Sequence, residues 1–318
     1  SGRSPDANTV EPLPQRGHPW GEGRAGCQTS VMASPGRTID RVETKARLGP
    51  DAQVDDKAII IMPSDPRRTD PFLALAEDWF SEPGFEWHPH RGIETVTTVL
   101  DGVLEHGDNA GNAGALQPGD IQWMTAGRGI VHRELAFRNE HAHTLQLWIN
   151  LPARRKMTDT AYQDLRAQQR PRWDGPGVSI DVVSGSVLET GGPARNQHPI
   201  QGAILTLEPG ASLDYPVPAD HRAFLYVLDG AATIGGKAVM AGQIAWSDPS
   251  RESAIAVRAT AREDVTRVMA YSGKPLREPV VMGGPFVMNS RAEIEAAYRD
   301  FHAGRFGAVP RQARLKHA

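Results

Sequence analysis

This 318-residue chain contains one cysteine, Cys27, so it has no intrachain disulfide and no thiolate cluster for a metal. No run reaches the roughly 18 apolar residues of a membrane span, and residues 1–30 lack the apolar core of a secretory signal. Its 35 basic and 38 acidic residues give a net charge of −3, with no basic cluster to follow a phosphate backbone. These absences predict a cytoplasmic protein that binds neither membrane nor nucleic acid directly.

Glycine and proline are plentiful, at 32 and 25 residues, which favours a turn-rich β architecture. Short β-like runs alternate with turn signals between about residues 38 and 152, and a second such series spans 178–272. The polar segment 153–177 separates them. We therefore predict a flexible tail (1–37), an N-terminal barrel (38–155), and a C-terminal barrel with linker and helix (156–318).

The two halves share a faint internal repeat. The sequence Val-Leu-Asp-Gly occurs at 99–102 and again at 227–230. A Gly-x-Ile-x-Trp pattern occurs at 119–123 and again at 242–246. This self-similarity predicts a duplicated barrel.

Two i, i+2 pairs in the first half offer metal-binding side chains, His88 with His90 and His132 with Glu134. Residues two apart in a strand share a face, so pairs on adjacent strands of one barrel would converge on a mononuclear metal site. His221 alone makes no second site. The repeat places residues without imidazole or carboxylate at the four corresponding positions of the second half, which predicts a metal-free barrel: Pro216, Pro218, Ile255 and Val257.

Other polar residues compete for these roles. Glu94 lies six positions after His88, so in a regular strand it would share that face as a fourth ligand or as an acceptor for a ligand imidazole. His106 and Asp108 could line the pocket mouth or form a surface hydrogen bond. The second His-x-His, at 141–143, has no partner pair and is interpreted as surface or structural.

The chain closes with a predicted helix. Ser290 and Glu293 have the spacing of a capping box, and Gly304 supplies a C-terminal stop. An apolar stripe lies between these signals: Ile294, Ala297, Tyr298 and Phe301. We expect this helix to pack against a barrel and to carry no chemistry.

Five stretches together resemble the pirin family of the cupin superfamily: 88–96, 118–132, 145–150, 275–280 and 284–289. The resemblance extends from about residue 38 to 306. One departure is Glu86-Trp87, which stands where the family usually has an aspartate before the His-Pro-His motif. This change is expected to alter the pocket rim more than the ligand set.

The resemblance implies an all-β bicupin, two cupin-type barrels with a short C-terminal helix. It also implies one metal, usually iron, in the N-terminal barrel, with ligands that carry over to His88, His90, His132 and Glu134. Glu94 is thereby reassigned from ligand to acceptor. Iron(II) is the expected ion, although manganese, nickel and zinc suit the same donors.

Some pirins resemble quercetin 2,3-dioxygenases, which open the central ring of a flavonol with dioxygen. On this resemblance the substrates are a flavonol and dioxygen, and Glu134 remains a ligand or accepts the hydroxyl proton. Phe72, Trp123 and Met124 are candidates for an apolar pocket wall, although ordinary barrel core is the preferred interpretation of each one taken alone. A redox-sensitive iron protein acting through a transcription factor or metabolic enzyme is the alternative, and a metal-dependent isomerase or hydrolase is a third.

Overall fold

The structure is a computed structural model that describes residues 36–81, 84–260 and 264–309. The predicted N-terminal tail lies outside the described residues apart from its last two positions, and so does Cys27. Within the described chain, no helix combines the length and hydropathy needed to traverse a bilayer.

Short strands fill the first half of the chain. In chain order they are β1 (Arg41–Thr44), β2 (Ala46–Arg47), β3 (Asp56–Ile61), β4 (Phe72–Phe80), β5 (Phe85–His90), β6 (Ile93–Gly102), β7 (Leu104–Asp108), β8 (Ala113–Leu116), β9 (Ile121–Thr125), β10 (Ile130–Ala136), β11 (Ala142–Asn150) and β12 (Ala161–Leu165). A single helical turn, α1 (Pro66–Thr69), lies between β3 and β4.

The second half continues the pattern. Its strands are β13 (Arg172–Gly175), β14 (Val178–Ser184), β15 (Ser186–Val187), β16 (Thr190–Gly191), β17 (Ile200–Leu207), β18 (Ser212–Pro216), β19 (Arg222–Asp229), β20 (Ala231–Ile234), β21 (Lys237–Met240), β22 (Gln243–Ser247), β23 (Ala254–Ala259), β24 (Thr266–Gly273), β25 (Val281–Gly283) and β26 (Phe286–Met288). Helix α2 (Arg291–His302) follows β26.

The first barrel pairs a seven-stranded sheet, β12-β9-β6-β11-β4-β3-β2, with a four-stranded sheet, β5-β10-β7-β8. Alternation of side chains places one face of each sheet inside. Phe80 and Val99 from the larger sheet contribute to one buried cluster with Leu104 and Leu116 from the smaller. The interior beyond this cluster is polar, because it contains His90, His106, His132 and Glu134 among other fully buried groups.

The second barrel repeats the layout with β1-β22-β19-β24-β17-β14-β13 facing β18-β23-β20-β21. Its interior is apolar, because Leu225, Val227, Ile255 and Val257 all belong to one buried hydrophobic cluster. Strands β18 and β23 pair as β5 and β10 do in the first barrel. The all-β prediction of two barrels with one short C-terminal helix is confirmed.

Each barrel takes a strand from the far side of the predicted boundary at residue 155. Strand β1 pairs with β22 of the second barrel, and β12 pairs with β9 of the first. The segment 153–177 therefore contains a strand of the first barrel as well as a connection. The domain limits proposed from composition stay a prediction.

The two seven-stranded sheets pack back to back. Their outer faces form one buried cluster in which Phe72, Trp123 and Leu147 of the first barrel meet Phe224 and Trp246 of the second. The rings of Phe72 and Phe224 make an edge-to-face contact with centroids 4.9 Å apart. A large apolar interface of this kind holds the barrels as one body.

Helix α2 begins with the predicted pair, because Ser290 is its N-cap residue and is hydrogen-bonded to Glu293. Ser290 Oγ accepts a hydrogen bond from the Glu293 backbone N–H, and the Glu293 carboxylate accepts from the Ser290 hydroxyl at 2.9 Å. Its apolar face, with Ile294 and Ala297, packs in a cluster that includes Val131 of β10. The C-terminal helix therefore covers the first barrel rather than the second.

Candidate metal centre

Three histidines from two adjacent strands meet in the first barrel. His88 and His90 lie on β5, and His132 lies directly opposite His88 on the antiparallel strand β10. The ring centroids of His88 and His132 are 4.3 Å apart, and each lies 5.0 Å from His90. One nitrogen from each ring lies within 4.8 Å of the other two. The structure thus brings together three of the four residues that the spacing argument selected.

Hydrogen bonds at Nδ1 orient two of these rings. His88 Nδ1 is 2.7 Å from the Glu86 carbonyl oxygen, and His90 Nδ1 is 3.3 Å from that of Pro285. A carbonyl only accepts, so each Nδ1 carries the proton and each Nε2 keeps its lone pair. Buried polar groups normally have partners, yet Nε2 of His90 and of His132 has none within the described chain. A transition-metal ion fits this donor set.

The electrostatic environment keeps these rings neutral. Burial lowers the pKa of His90 to about 3 and that of His132 well below its usual value, while the neighbouring histidines push both further down. Burial also lowers the pKa of His88. A neutral imidazole is the form that coordinates a metal.

Glu134 lies two residues beyond His132 on β10 and is buried. It is not part of the group of three whose donor atoms lie within 4.8 Å of one another. Its Oε1 accepts from Thr97 Oγ1 at 3.0 Å, and its Oε2 accepts from Gln146 Nε2 at 2.7 Å. Burial raises its pKa to about 7 against the effect of these donors. Its assignment as a ligand stays a prediction.

Glu94 does not face the site, contrary to both roles that were considered for it. Strand β5 ends at His90 and β6 begins at Ile93, so the alternation counted from His88 is interrupted at Gly92, whose φ is +82°. On β6, Glu94 and Thr97 are three residues apart, so their side chains lie on opposite faces of the sheet. Glu94 accepts a hydrogen bond from Thr125 Oγ1 at 2.7 Å. It therefore lies on the sheet face that meets the second barrel.

Two proposed wall residues also point away from the site. Phe72 and Trp123 belong to the cluster between the barrels, whereas Met124 packs with Ile93 and Ile130 in the first barrel. For the first two, the ordinary-core interpretation is correct. Strand alternation decides this, because Trp123 and its neighbour Met124 must face opposite sides.

Sequence reasoning missed Trp148. Its ring makes an edge-to-face contact with His90 at 5.1 Å, and its Nε1 donates to Gln146 Oε1 at 2.9 Å. Since Gln146 also donates to Glu134, these residues form a chain along the pocket side of β11. The signal was available in the alternation of β11, where Gln146 and Trp148 share one face.

The remaining candidates divide clearly. His106 is fully buried behind His132, so it does not lie at the pocket mouth or on the surface. Asp108 caps a turn, because its carboxylate accepts a hydrogen bond from the N–H of Asn112. The pair at 141–143 is structural, since His141 pairs with Asp101 and His143 with Glu77. His221 is hydrogen-bonded to Ser272 and belongs to no metal-binding group among the described residues.

The fold and the site together define a class. Two back-to-back barrels of this topology, with a histidine cluster inside the first, make the protein a bicupin. The counterparts of the histidine positions on β18 and β23 carry no imidazole, and Tyr215 and Ile255 lie opposite each other there.

Comparisons with known proteins identify the family. Residues 52–149 match Pirin, and residues 203–307 match the Pirin C-terminal cupin domain. Pirin-1 of Arabidopsis thaliana is 36% identical over 284 residues, which cover 87% of this chain and 98% of that protein. Human pirin is 36% identical over 261 residues, which cover 76% of this chain and 84% of human pirin. The chain belongs to the pirin family, as the motifs predicted.

One similar solved structure carries the name of an enzyme. Quercetin 2,3-dioxygenase from Acinetobacter baumannii aligns with a TM-score of 0.76 at 30% identity, covering 86% of this chain and 100% of that one. Proteins similar to this chain are thus named for a catalytic activity in one case and only as pirins in others.

Proposed function

We propose that this protein is a metal-dependent dioxygenase that opens the central ring of a flavonol with dioxygen and releases carbon monoxide. The proposal rests on the convergence of three imidazoles. Nδ1 of each ring is in hydrogen-bond contact, whereas the buried Nε2 atoms of His90 and His132 have no partner within the described chain. The similarity to the Acinetobacter enzyme supports the choice of substrate class.

One mononuclear transition ion is proposed, held by His88, His90 and His132 with Glu134 as the fourth donor. Imidazole nitrogen and carboxylate oxygen suit iron(II), and also manganese, nickel and zinc. When bound, the ion supplies the Lewis-acid and redox chemistry of the reaction. Iron(II) is our first choice because it is the usual metal of the family.

Glu134 is proposed to accept the proton of the flavonol 3-hydroxyl. Thr97 and Gln146 donate to its two oxygens and hold the carboxylate in place. In the metal-free protein those donors favour the charged form of Glu134, whereas burial raises its pKa to about 7, which suits a group that exchanges a proton near neutral pH. The carboxylate could do this as a ligand or after leaving the ligand set.

Trp148 is proposed to form the apolar wall. Its ring lies against His90, and its only polar atom, Nε1, is occupied by Gln146. An indole in this position offers a flat apolar face to an aromatic substrate and excludes water from the proton acceptor.

The test is anaerobic loading of purified protein with iron(II), followed by flavonol and then oxygen. Flavonol absorbance should fall while carbon monoxide appears, and repeating the assay with manganese, nickel and zinc identifies the competent ions. Glu134→Gln should lower turnover by about 10²–10⁴-fold, the range for a lost acid–base group. Retained metal in this variant would show that the ion does not require the Glu134 carboxylate, and lost metal would show that Glu134 is a required ligand.

The opposite result is equally informative. No turnover with any loaded ion would overturn the dioxygenase proposal. If a protein partner then bound in a manner that depends on the redox state of the iron, the regulatory alternative would replace it.

A further inference from the structure

His106 lies directly behind the candidate metal centre. It is on β7, opposite Glu134 in the antiparallel pairing with β10, and its side chain is fully buried. Its Nε2 is 3.0 Å from Nδ1 of His132, and the two ring centroids are 5.1 Å apart. This contact engages the nitrogen of His132 that faces away from the cluster.

The ring of His106 is held from its other side by Tyr162 of β12. The two ring centroids are 5.0 Å apart with an interplanar angle of 30°. Gly114 lies opposite His106 on β8 and makes room for this contact. A Cβ at that position would lie 3.2 Å from the Tyr162 hydroxyl and 3.0 Å from a carboxylate oxygen of Asp164. His106 is thus packed between Tyr162 and His132.

The three clustered histidines differ in what engages Nδ1. For His88 and His90 it is a backbone carbonyl, which can only accept. For His132 it is a side chain, and an imidazole nitrogen either donates or accepts according to its tautomer. The proton position on His132 therefore depends on a residue that a single substitution can change.

His106 is not itself placed as a ligand. It lies outside the group of donors within 4.8 Å of one another, and its Nε2 points at a ring nitrogen of His132. Its other nitrogen, Nδ1, is buried without a partner in the described chain. If Nδ1 carries the ring's proton, Nε2 is free to accept.

We propose that His106 is a positioning residue for the metal centre, accepting from His132 Nδ1–H so that His132 presents Nε2 to the ion. The inference rests on the proposed metal site. It adds a determinant of metal affinity that lies outside the ligand set. Partners of this kind fix both the tautomer and the orientation of a ligand imidazole.

The test compares two substitutions in the full-length protein. His106→Phe keeps a planar ring of similar volume and removes the acceptor, whereas His106→Gln places an amide oxygen near the position of Nε2. Cobalt(II) affinity is measured by competition with a chelator, and the visible spectrum of the cobalt-loaded protein reports ligand geometry. His141→Gln is the matched control, because His141 is an exposed histidine paired with Asp101.

We expect His106→Phe to bind cobalt about 10–100-fold more weakly, with an altered spectrum, and His106→Gln to recover most of the affinity. The control should bind as the parent does. Unchanged affinity in His106→Phe, or equal losses in the Phe and Gln variants, would overturn the positioning role. Failure of the parent protein to bind any ion would instead overturn the metal centre itself.

A measurement without substitution covers the case in which the Phe variant does not fold. In zinc-loaded protein with ¹⁵N-labelled histidine, nitrogen NMR reports which ring nitrogen carries each proton. His132 should be protonated at Nδ1, and His106 at Nδ1 with Nε2 accepting. A proton on Nε2 of His106 would contradict the proposal.

Discussion

Nδ1 of His90 lies 3.3 Å from the carbonyl oxygen of Pro285, although the two residues are 195 positions apart. The chain that follows the second barrel therefore returns to the first and supports one of its clustered histidines. Two further contacts fasten it, since Val287 N–H donates to the Arg91 carbonyl at 3.0 Å and Lys156 Nζ donates to the Val287 carbonyl at 2.9 Å. The candidate site is completed by the last segment of the fold.

Removing either of two opposed histidines should remove the metal. His88→Ala or His132→Ala deletes one of three imidazole donors, so metal content after purification should fall from about one ion per chain to background. Elemental analysis by mass spectrometry provides the measurement. His141→Ala is the control, since His141 is exposed and outside the cluster. Undiminished metal in both cluster variants would refute the site.

Thr97→Val should shift the pH dependence of turnover. The hydroxyl of Thr97 donates to Glu134 and favours its charged form, so losing it raises the pKa of Glu134 further. A proton acceptor with a higher pKa is ionised only at higher pH. The acidic limb of the kcat/KM profile should therefore move to higher pH by up to about one unit. A pKa shift of that size corresponds to roughly 1.4 kcal/mol.

The neighbouring residue supplies the control for this experiment. Thr98 is buried on the same strand but has the opposite parity, and so faces away from Glu134. Thr98→Val makes the same chemical change on the other side of the sheet. Its pH profile should match that of the parent, and an equal shift in both variants would remove the specific role of Thr97.

Glu94→Gln should reduce the pH dependence of stability of the metal-free protein. Burial raises the pKa of Glu94 to about 7 from 4.5, because the neutral form is favoured in the fold. The contribution of Glu94 to the free energy of unfolding is therefore complete below about pH 4.5 and is lost as the pH rises through 7. The loss is on the order of 3 kcal/mol. Urea unfolding at pH 5 and pH 8 should show a smaller difference for the variant.

Glu189→Gln supplies the matched control for this experiment. Glu189 is exposed in the turn that follows β15, so Glu189→Gln should keep the parental difference in stability between pH 5 and pH 8. A Glu94→Gln protein that loses as much stability as the parent over this range would mean that Glu94 ionises in the fold at little cost.

Lys156→Met should loosen the returning segment. The ammonium of Lys156 is buried and donates to the carbonyls of Gly92 and Val287 and to Asn150 Oδ1. Methionine keeps the length but leaves these acceptors unpaired, at about 1–3 kcal/mol for a buried group. Hydrogen exchange at the Val287 amide should quicken. Lys274→Met replaces an exposed lysine, so it should change neither the free energy of unfolding nor the exchange rate of the Val287 amide.

Short-range alternation explains which site residues could be predicted. His88 and His90 lie within one strand, so a period of two puts them on one face, and both belong to the cluster with His132. His132 and Glu134 likewise share β10, and the ligand role of Glu134 stays a prediction. The same rule gives a wrong result for Glu94, because the strand breaks at Arg91-Gly92. A period holds only as long as the backbone stays extended.

Contacts between distant strands could not be predicted in the same way. Alternation along β11 shows only that Trp148 shares a face with Gln146, and the motif around His106 shows only that it is a candidate. Their contacts with His90 and His132 depend on which strands lie next to β5 and β10. The support that Pro285 gives to His90 depends on a chain reversal after β24. None of these pairings has a local signature, because strand order is set by burial of whole sheet faces.

The amino-acid sequence by itself determined the family, the duplicated all-β architecture and the pair of pairs at His88, His90, His132 and Glu134, because these are encoded in motifs and in a local period of two. Only the tertiary structure decided which faces of the strands look inward. It turned Glu94 and Trp123 toward the second barrel, and it placed Trp148, His106 and the Pro285 carbonyl around the histidines. The physical reason is that hydrogen-bond partners and packing neighbours are fixed by the pairing of distant strands, which no local pattern specifies.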